Sequence, residues 1–221
     1  MIVNERVVAY INSLDCGNSD ICNTIEKEAI ADEVPIIRKE MGNLLKVLLQ
    51  LVQPERILEV GTAVGYSSIL MSENMPEKCT ITTIENYDKR IPVARNNFKR
   101  AGKENVITLI EGDALEVLKT LEGPYDFIFM DAAKGQYLNF LPNILKMLPE
   151  NGMLITDNVL QDGDIIESRF AVERRNRTIH SRMRDYLYEL KHSDVLETSI
   201  IPLGDGVALS IKKKKEEKEN R

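Results

Sequence analysis

The chain has 221 residues, of which 43% are apolar and 29% are charged, a composition typical of a globular protein with one sizeable core. Its formal net charge of −6 gives no overall attraction to nucleic acid, and we expect no DNA partner. No apolar run approaches the roughly 18 residues that a membrane span needs. The N-terminal residues carry charge without a signal-peptide pattern, so we expect a soluble, cytoplasmic protein without a membrane partner.

Cysteine and histidine are scarce. Cys16, Cys22 and Cys79 form no CxxC pair, and their odd number favours reduced, packed thiols. The only two histidines, His180 and His192, argue against a histidine-rich zinc site and against a Ser-His-Asp triad. Any metal would therefore be held by oxygen ligands, which suit a hard cation.

From residue 53 onward, short apolar runs alternate with amphipathic stretches. The amphipathic stretches predict helices at residues 66–75, 90–102, 114–121 and 138–148. This alternation predicts a doubly wound α/β domain, in which helices cover both faces of a parallel sheet. The runs FIFM and MLIT are continuously apolar, which is typical of strands without a solvent face. The five predicted strands are RILEV, TITTIE, VITLIEGD, YDFIFMD and GMLITDN.

Further elements flank this core. We predict a single domain over residues 1–212, with N-terminal helices in 1–53, a core in 54–212 and a charged, disordered tail in 213–221. A long helical region is predicted at about residues 165–191, followed by two β-like runs around an Asp-Gly turn at residues 203–206, which favours antiparallel strands. The N-terminal part contains a helical stripe of Ile37, Met41, Leu44, Leu45, Leu48 and Val52.

The end of the first predicted strand carries an acidic residue and two glycines. Ligands of open parallel sheets bind beyond the carboxyl ends of the strands. Glu59 lies near this end, and Gly61 and Gly65 follow it, ahead of a helix whose N-terminus has free N–H groups. The spacing is G-x-x-x-G rather than G-x-G-x-x-G, so an NAD-dependent oxidoreductase is the least favoured function.

The next two strand ends suit a nucleoside. Glu85 ends the second strand and is able to accept hydrogen bonds from ribose hydroxyls. Gly112, Asp113 and Ala114 follow the third strand and suit an adenine edge. Because Glu59 matches a pyrophosphate poorly, we expect a nucleoside with a positive centre, and S-adenosylmethionine, a sulfonium, is such a molecule.

Oxygen-bearing side chains follow the fourth and fifth strands. Asp131 ends the fourth, and Asp157 and Asn158 end the fifth. Neighbouring parallel strands bring these ends together, so the pattern predicts a site for Mg²⁺ or a similar cation, which would also neutralise Asp131 at the end of a buried strand. The alternative is that Asp157 and Asn158 only cap the following segment.

Taken together, these motifs resemble the metal-dependent O-methyltransferases, the class that includes the catechol and caffeoyl-CoA O-methyltransferases. The resemblance covers about residues 34–212 and implies a Rossmann-like seven-stranded sheet with an antiparallel last strand. It also implies S-adenosylmethionine as methyl donor, a bound divalent cation and a homodimer. The motifs that carry it are EVGTAVGYSS, TIE, EGDA, FMDAAKGQY, TDNVL and IPLGDGVALS.

The resemblance also implies roles for individual residues. Asp131, Asp157 and Asn158 would be the metal ligands, and Lys134, three positions after Asp131, would be the general base. The alternative for Lys134 is an ordinary surface lysine. The residues expected to contact the methyl donor are Ile37, Glu59, Gly61, Thr62, Ser67, Glu85, Asp113, Ala114 and Asp131.

The acceptor depends on the segment after the fifth strand, which is rich in arginine. These arginines are predicted to lie on a helix beside the active-site mouth, and arginine suits phosphate contacts. Alternatively, the helix is solvated and its arginines pair with Glu167, Glu173 and Asp185. The candidate RNA contacts are Arg174, Arg175, Arg177, Arg182 and Arg184.

The region resembles a bacterial subgroup that methylates 5-hydroxyuridine at the wobble position of transfer RNA. In that base the 5-hydroxyl and the 4-carbonyl are vicinal oxygens and chelate a cation as a catechol does. The competing enzyme function is methylation of a small catechol or hydroxycinnamoyl acceptor, although no aromatic cluster marks a hydrophobic pocket for one. A non-catalytic nucleotide- or RNA-binding protein is the alternative from another class, and the intact set of Asp131, Lys134, Asp157 and Asn158 argues against it.

Overall fold

The computed structural model describes residues 2–215, so most of the predicted charged tail, residues 216–221, lies outside the described residues. The five predicted apolar runs form the strands β1 to β5, and the last two β-like runs form β6 and β7. The strands are β1 Arg56–Val60, β2 Thr80–Glu85, β3 Ile107–Glu111, β4 Phe127–Met130, β5 Met153–Thr156, β6 Leu196–Ile201 and β7 Val207–Lys212. The α-helices are α1 Glu5–Ser13, α2 Asp20–Ala31, α3 Lys39–Val52, α4 Tyr66–Asn74, α5 Ile91–Arg100, α6 Ala114–Thr120, α7 Tyr137–Met147 and α8 Arg177–His192.

The seven strands form one sheet in the order β3-β2-β1-β4-β5-β7-β6. The first five strands are parallel to one another, and β7 runs antiparallel to both β5 and β6. The predicted doubly wound, seven-stranded sheet with an antiparallel last strand is therefore confirmed. The strand order reverses between β1 and β4, the place where such sheets bind ligands.

The register of the central strands places the first residues of three loops side by side. Val60 pairs with Met130, and Met130 pairs with Thr156. Each of these residues is the last of its strand, so the residues that follow them start their loops side by side at the same edge of the sheet. Those residues are Gly61, Asp131 and Asp157.

Helices cover both faces of the sheet, as the continuously apolar strands predict. Every residue of β4 and β5 is buried. One face packs against α2, α3, α4 and α5 through residues such as Leu45 and Phe98, and the other packs against α6, α7 and α8 through residues such as Ile144 and Tyr186. Within the described residues, no helix has the length and apolar character needed to cross a membrane.

The predicted long helix over residues 165–191 is wrong in its first part. Short 3₁₀ turns at Gln161–Ile166 and Arg174–Asn176 come first, and α8 begins only at Arg177. Glu167 and Glu173 have extended ψ values of 161° and 137°, which a continuous helix does not allow. The Arg177 side chain donates to the carbonyls of Phe170 (3.2 Å) and Val172 (3.2 Å), so it stabilises the non-helical loop before α8.

Candidate active site

A cavity of about 520 Å³ opens at the carboxyl ends of the central strands, within the size range of small-molecule sites. Loops after β1, β2, β3, β4 and β5 line it, together with the segment before α3 and the turn between β6 and β7. Eight of the nine residues predicted to contact a methyl donor line this cavity: Ile37, Gly61, Thr62, Ser67, Glu85, Asp113, Ala114 and Asp131.

Glu59, the ninth, is placed behind the cavity surface. Its side chain is fully buried, and its carboxyl group accepts hydrogen bonds from Ser67 (2.5 Å), Thr83 (2.5 Å) and Ser68. Burial raises the pKa of Glu59 to about 7, although the three hydroxyl groups partly oppose this. In this structure Glu59 therefore anchors the first turn of α4 to β1, and it reaches the cavity only through Ser67.

Glu85 is fixed by backbone donors at the end of β2. Its Oε1 accepts from the N–H groups of Asn86 (3.0 Å) and Tyr87 (2.9 Å), and its Oε2 accepts from that of Ala63 (2.8 Å). An ionised carboxylate offers about four acceptor positions, so one remains on Oε2 of a side chain that lines the cavity. A ligand hydroxyl group is suited to fill it.

Asp113 lines the cavity and also caps a helix. It is the N-cap of α6, and its Oδ1 accepts from the N–H groups of Leu115 (3.0 Å) and Glu116 (3.3 Å). This cap fixes the start of α6, and with it the position of Ala114 at the edge of the cavity.

Gly61 allows the loops after β1 and β4 to approach each other. Its φ is +107°, and a Cβ atom at this position would lie 2.0 Å from the carbonyl oxygen of Asp131. Only glycine fits this backbone and this spacing. The loop that carries Asp131 therefore lies directly against the glycine loop.

Asp131, Asp157 and Asn158 lie together in the cavity, as the sequence predicts. The Asp157 N–H donates to the carbonyl of Met130 (3.0 Å), and the Asn158 N–H donates to Oδ1 of Asp157 (2.7 Å). Burial raises the pKa of Asp131 to about 6, while Lys134 opposes this rise. Burial and the Asp131 charge raise the pKa of Asp157 to about 7.

This set of donors fits a hard divalent cation. It offers two carboxyl groups whose ionisation is opposed by burial, and in Asp157 also by the neighbouring charge, and a cation between them would reverse this penalty. The third predicted ligand is the Asn158 amide, and oxygen donors of this kind suit Mg²⁺. Across residues 2–215 no three His, Cys, Asp or Glu side chains form a metal-binding group.

Lys134 lies beside these carboxyl groups. It begins the 3₁₀ turn Lys134–Gln136 after β4 and lines the cavity. Its positive charge acts to lower the pKa values of both Asp131 and Asp157. The side chain is partly buried, so it is more enclosed than an ordinary surface lysine.

Three of the five arginines predicted to contact RNA bind other residues of the same chain. Arg175 pairs with Glu173 (2.7 Å), as the alternative of a solvated, paired segment predicts. Arg177 donates to two loop carbonyls, and Arg182 donates to the carbonyl of Gly135 (3.0 Å), next to Lys134.

The other two, Arg174 and Arg184, have no hydrogen-bond or ion-pair partner in the described part of the chain. The prediction that all five lie on one helix is wrong, because Arg174 and Arg175 lie in the 3₁₀ turn before α8. None of the five arginines lines the main cavity.

The sequence alone did not identify an ion pair that closes one side of the cavity. Nη2 of Arg38 lies 2.7 Å from Oδ1 of Asp205, and both residues line the cavity. The pair joins the segment before α3 to the turn between β6 and β7. At Asp205 the sequence offered an Asp-Gly turn, which indicates a hairpin, and the family motif IPLGDGVALS, and neither assigned Asp205 a partner.

Comparisons with known proteins agree with this geometry. The O-methyltransferase family model matches residues 18–213. A catechol O-methyltransferase from Niastella koreensis is 33% identical over 170 residues, which are 74% of this chain and 76% of that protein. Caffeoyl-CoA O-methyltransferase 2 from Populus trichocarpa is 31% identical over 182 residues, which are 76% of this chain and 71% of that protein.

Solved structures are similar over almost the whole chain. A Staphylococcus aureus protein, provisionally assigned as a caffeoyl-CoA O-methyltransferase, superposes with a TM-score of 0.87 at 32% identity, covering 95% of this chain and 100% of that one. The Podospora anserina methyltransferase PaMTH1, solved with bound S-adenosylhomocysteine, superposes with a TM-score of 0.85 at 28% identity, covering 95% of each chain.

Proposed function

This chain belongs to the family of S-adenosylmethionine-dependent O-methyltransferases, and we propose that its acceptor is 5-hydroxyuridine at the wobble position of transfer RNA, which it converts to 5-methoxyuridine. The general reaction is methylation of a hydroxyl group next to a second oxygen. The finer assignment depends on the arginine-rich segment beside the cavity.

The methyl donor occupies the part of the cavity between the loops after β1, β2 and β3. The free acceptor position of the Glu85 carboxylate suits a ribose hydroxyl, and the first turn of α6 at Asp113 and Ala114 suits the adenine edge. The product-bound Podospora anserina relative supports the same use of this fold.

Asp131, Asp157 and Asn158 hold a divalent cation, for which Mg²⁺ is the proposed identity. When bound, the cation supplies Lewis acidity that lowers the pKa of an acceptor hydroxyl. The support is the donor set itself, in which burial raises the pKa values of two neighbouring carboxyl groups. The Asn158 N–H bond to Asp157 Oδ1 fixes the position of that carboxyl group.

Lys134 is the general base. In its neutral form, Nζ takes the proton of the acceptor hydroxyl, and the resulting oxyanion attacks the methyl carbon of the donor. The carbon–sulfur bond breaks, and its electron pair stays on sulfur to give neutral S-adenosylhomocysteine. Because the methyl group is already activated, the protein mainly orients the two reactants.

Arginines without a partner on and before α8 are the main support for RNA, rather than a small catechol, as the acceptor. Arg169, Arg174 and Arg184 have no ion-pair or hydrogen-bond partner among residues 2–215. Arg184 lies on α8, which contacts the turn of Lys134 through Arg182, and the other two lie in the segment before α8. Phe170, next to Arg169, is 83% exposed and offers a ring on which an unpaired base could stack. Backbone phosphates would contact the arginines while the wobble base enters the cavity.

Methylation of a small catechol is the second candidate function. The 33% identical relative from Niastella koreensis is a catechol O-methyltransferase, and the same vicinal oxygens would reach the same carboxyl groups. A catechol does not need the free arginines of the α8 segment. The two functions therefore differ in whether they require the free arginines outside the cavity.

The proposal also includes a homodimer. No residue of α1 is buried, and its apolar side chains Val7, Tyr10 and Ile11 are between 46% and 65% exposed. Such an apolar face is suited to a second copy of the chain. A transfer RNA acceptor further implies a cytoplasmic enzyme.

One experiment tests the acceptor directly. The purified protein is incubated with labelled S-adenosylmethionine, Mg²⁺ and either transfer RNA that carries unmethylated 5-hydroxyuridine or a simple catechol. We expect RNA to be methylated with the higher kcat/KM, and mass spectrometry of the nucleosides to reveal 5-methoxyuridine. Turnover of catechol with none of RNA would favour the second candidate.

A further inference from the structure

A buried hydroxyl group lies between the two loops that carry the proposed metal ligands. Tyr137, the first residue of α7, is fully buried and does not line the cavity. Its hydroxyl oxygen lies 3.3 Å from the carbonyl oxygen of Ala132 and 3.3 Å from that of Asp157. Ala132 follows Asp131 in the loop after β4, and Asp157 begins the loop after β5. The hydroxyl therefore touches the backbone of both loops.

A single hydroxyl proton serves these two carbonyl groups. A carbonyl oxygen only accepts, so Tyr137 is the donor in both contacts. Both distances exceed the about 2.7–2.8 Å that a hydroxyl with one acceptor typically shows, as expected when one proton is shared. Within residues 2–215 neither the Ala132 carbonyl nor the Asp157 carbonyl accepts a hydrogen bond from another group.

The hydrogen-bonding ladder of the sheet ends just before these carbonyl groups. The last backbone bond between β4 and the loop after β5 is the one that the Asp157 N–H donates to the Met130 carbonyl (3.0 Å). Beyond it, no hydrogen bond in the described part of the chain runs directly between residues 131–136 and residues 157–160. The Tyr137 hydroxyl is therefore the polar connection that continues past the end of the sheet.

The ring that carries this hydroxyl is itself held in place. It packs edge-on against the ring of Tyr186, with the centroids 5.6 Å apart and an interplanar angle of 61°. Tyr186 is fully buried on α8, and its hydroxyl shares a hydrogen bond of 2.7 Å with the hydroxyl of Thr156. Contacts with α8 and β5 thus fix the position from which Tyr137 reaches the two loops.

We propose that the Tyr137 hydroxyl fixes the spacing between Asp131 and Asp157 and thereby makes the metal site selective for a small cation. Mg²⁺ requires short, nearly octahedral coordination, whereas Ca²⁺ accepts longer distances and irregular geometry. A fixed spacing of the two ligand loops therefore matters more for Mg²⁺ than for Ca²⁺. This inference rests on the proposed metal site and deepens it by assigning a positioning residue outside the cavity.

The test is Tyr137→Phe, which removes only the hydroxyl oxygen and keeps the ring. Calorimetric titration of Mg²⁺ and of Ca²⁺ into protein saturated with S-adenosylhomocysteine measures the two affinities. We expect the variant to bind Mg²⁺ about tenfold more weakly, because the loss of groups that orient metal ligands has effects of this size. The affinity for Ca²⁺ should change much less. Unchanged binding of S-adenosylhomocysteine would establish that the variant is folded.

Tyr186→Phe is the matched control. It also removes the hydroxyl of a fully buried tyrosine, but the hydrogen-bond partner lost is the Thr156 side chain rather than a loop carbonyl. We expect this variant to be less stable and to keep the wild-type preference for Mg²⁺ over Ca²⁺. A second measurement compares the rise in melting temperature that each cation causes with the same protein without metal, so that a difference in stability does not obscure the result.

The outcomes separate this inference from the proposed function. If Tyr137→Phe keeps both affinities, or loses both by the same factor, the hydroxyl does not set the selectivity and the inference is overturned, while the metal site stands. If Tyr186→Phe shifts the preference as much as Tyr137→Phe, ring packing is the cause and the inference is again overturned. If the wild-type protein binds neither cation, the proposed metal site falls, and the inference falls with it.

Discussion

Nη1 of Arg182 donates to the carbonyl oxygen of Gly135 at 3.0 Å, and this bond ties α8 to the turn that carries Lys134. The turn is only one 3₁₀ unit, Lys134–Gln136, and it follows directly after β4. A short turn of this kind depends on its contacts for a fixed position. Arg182 therefore holds the proposed general base in place, which differs from the RNA contact that the sequence suggested.

The two roles of Arg182 predict different kinetics. If it positions Lys134, Arg182→Ala should lower kcat for RNA and for catechol by similar factors, about tenfold to a hundredfold, because small displacements of a catalytic group are costly. Steady-state kinetics with both acceptors measures this. If it only contacted RNA, the variant would raise KM for RNA and leave catechol turnover intact.

Arg184, one half-turn further along α8, is the comparison residue. It has no partner in the described chain, so its removal should act on RNA far more than on catechol. A larger catechol defect in Arg184→Ala than in Arg182→Ala would contradict the positioning role.

Much of the fold and the oxygen-rich part of the site could be predicted from the sequence. Continuous apolar runs predict buried strands, and parallel strands place their ends along one edge, so Asp131 and Asp157 had to meet. The pairing of Met130 with Thr156 is the register that this argument needs. Local pattern and sheet geometry were sufficient here.

Side-chain contacts between distant segments could not be predicted in this way. Arg38 and Asp205 are separated by 167 positions, and the segment before α8 looks helical by composition although the carbonyl bonds of Arg177 hold it in a loop. Glu59 ends near the sheet edge, like Glu85, but three hydroxyl groups enclose it. Such details depend on tertiary packing, which periodicity does not report.

Replacement of Asp157 separates the stability of the apoprotein from its function. Asp157→Asn keeps an oxygen that accepts the Asn158 N–H but removes a charge that burial and Asp131 disfavour. Without metal, the variant should therefore be more stable than wild type at pH 8, by roughly 2–4 kcal/mol in the free energy of unfolding. Urea unfolding with a chelator present measures this.

The same variant tests the metal. Added Mg²⁺ should raise the melting temperature of the wild-type protein and leave that of Asp157→Asn unchanged, because only the wild type has both carboxylates. Methylation by the variant should fall more than a hundredfold. Full methylation by wild type in the presence of excess chelator would remove the cation from the proposed mechanism.

Glu59 predicts a pH dependence of stability. Its pKa rises from 4.5 in the unfolded chain to about 7 in the fold, so the folded state binds more protons between these values. Its contribution to stability is thus fully present below pH 4.5 and falls as the pH rises towards 7. Above pH 7 that contribution is lost. Relative to Glu59→Gln, wild type should lose about 2–3 kcal/mol between pH 5 and pH 8.

The control for Glu59 is a glutamate with the opposite shift. The hydrogen bond from Arg100 lowers the pKa of Glu28, so that contribution is lost as the pH falls rather than as it rises. In unfolding measurements at several pH values, the stability difference between wild type and Glu59→Gln should therefore fall as the pH rises, whereas the difference between wild type and Glu28→Gln should rise. Parallel curves for wild type and Glu59→Gln would refute the raised pKa.

Gly61→Ala tests the approach of the two loops that build the cavity. The new Cβ would lie 2.0 Å from the carbonyl oxygen of Asp131, so the β1 and β4 loops must separate. We expect a loss of more than about 3 kcal/mol in the free energy of unfolding, and weaker S-adenosylmethionine binding by calorimetry. Gly102→Ala is the control, since Gly102 also has a positive φ, +64°, but open space around it, and should cost only about 1 kcal/mol. Equal losses for the two variants would mean that backbone strain alone, and not the contact with Asp131, makes glycine necessary at position 61.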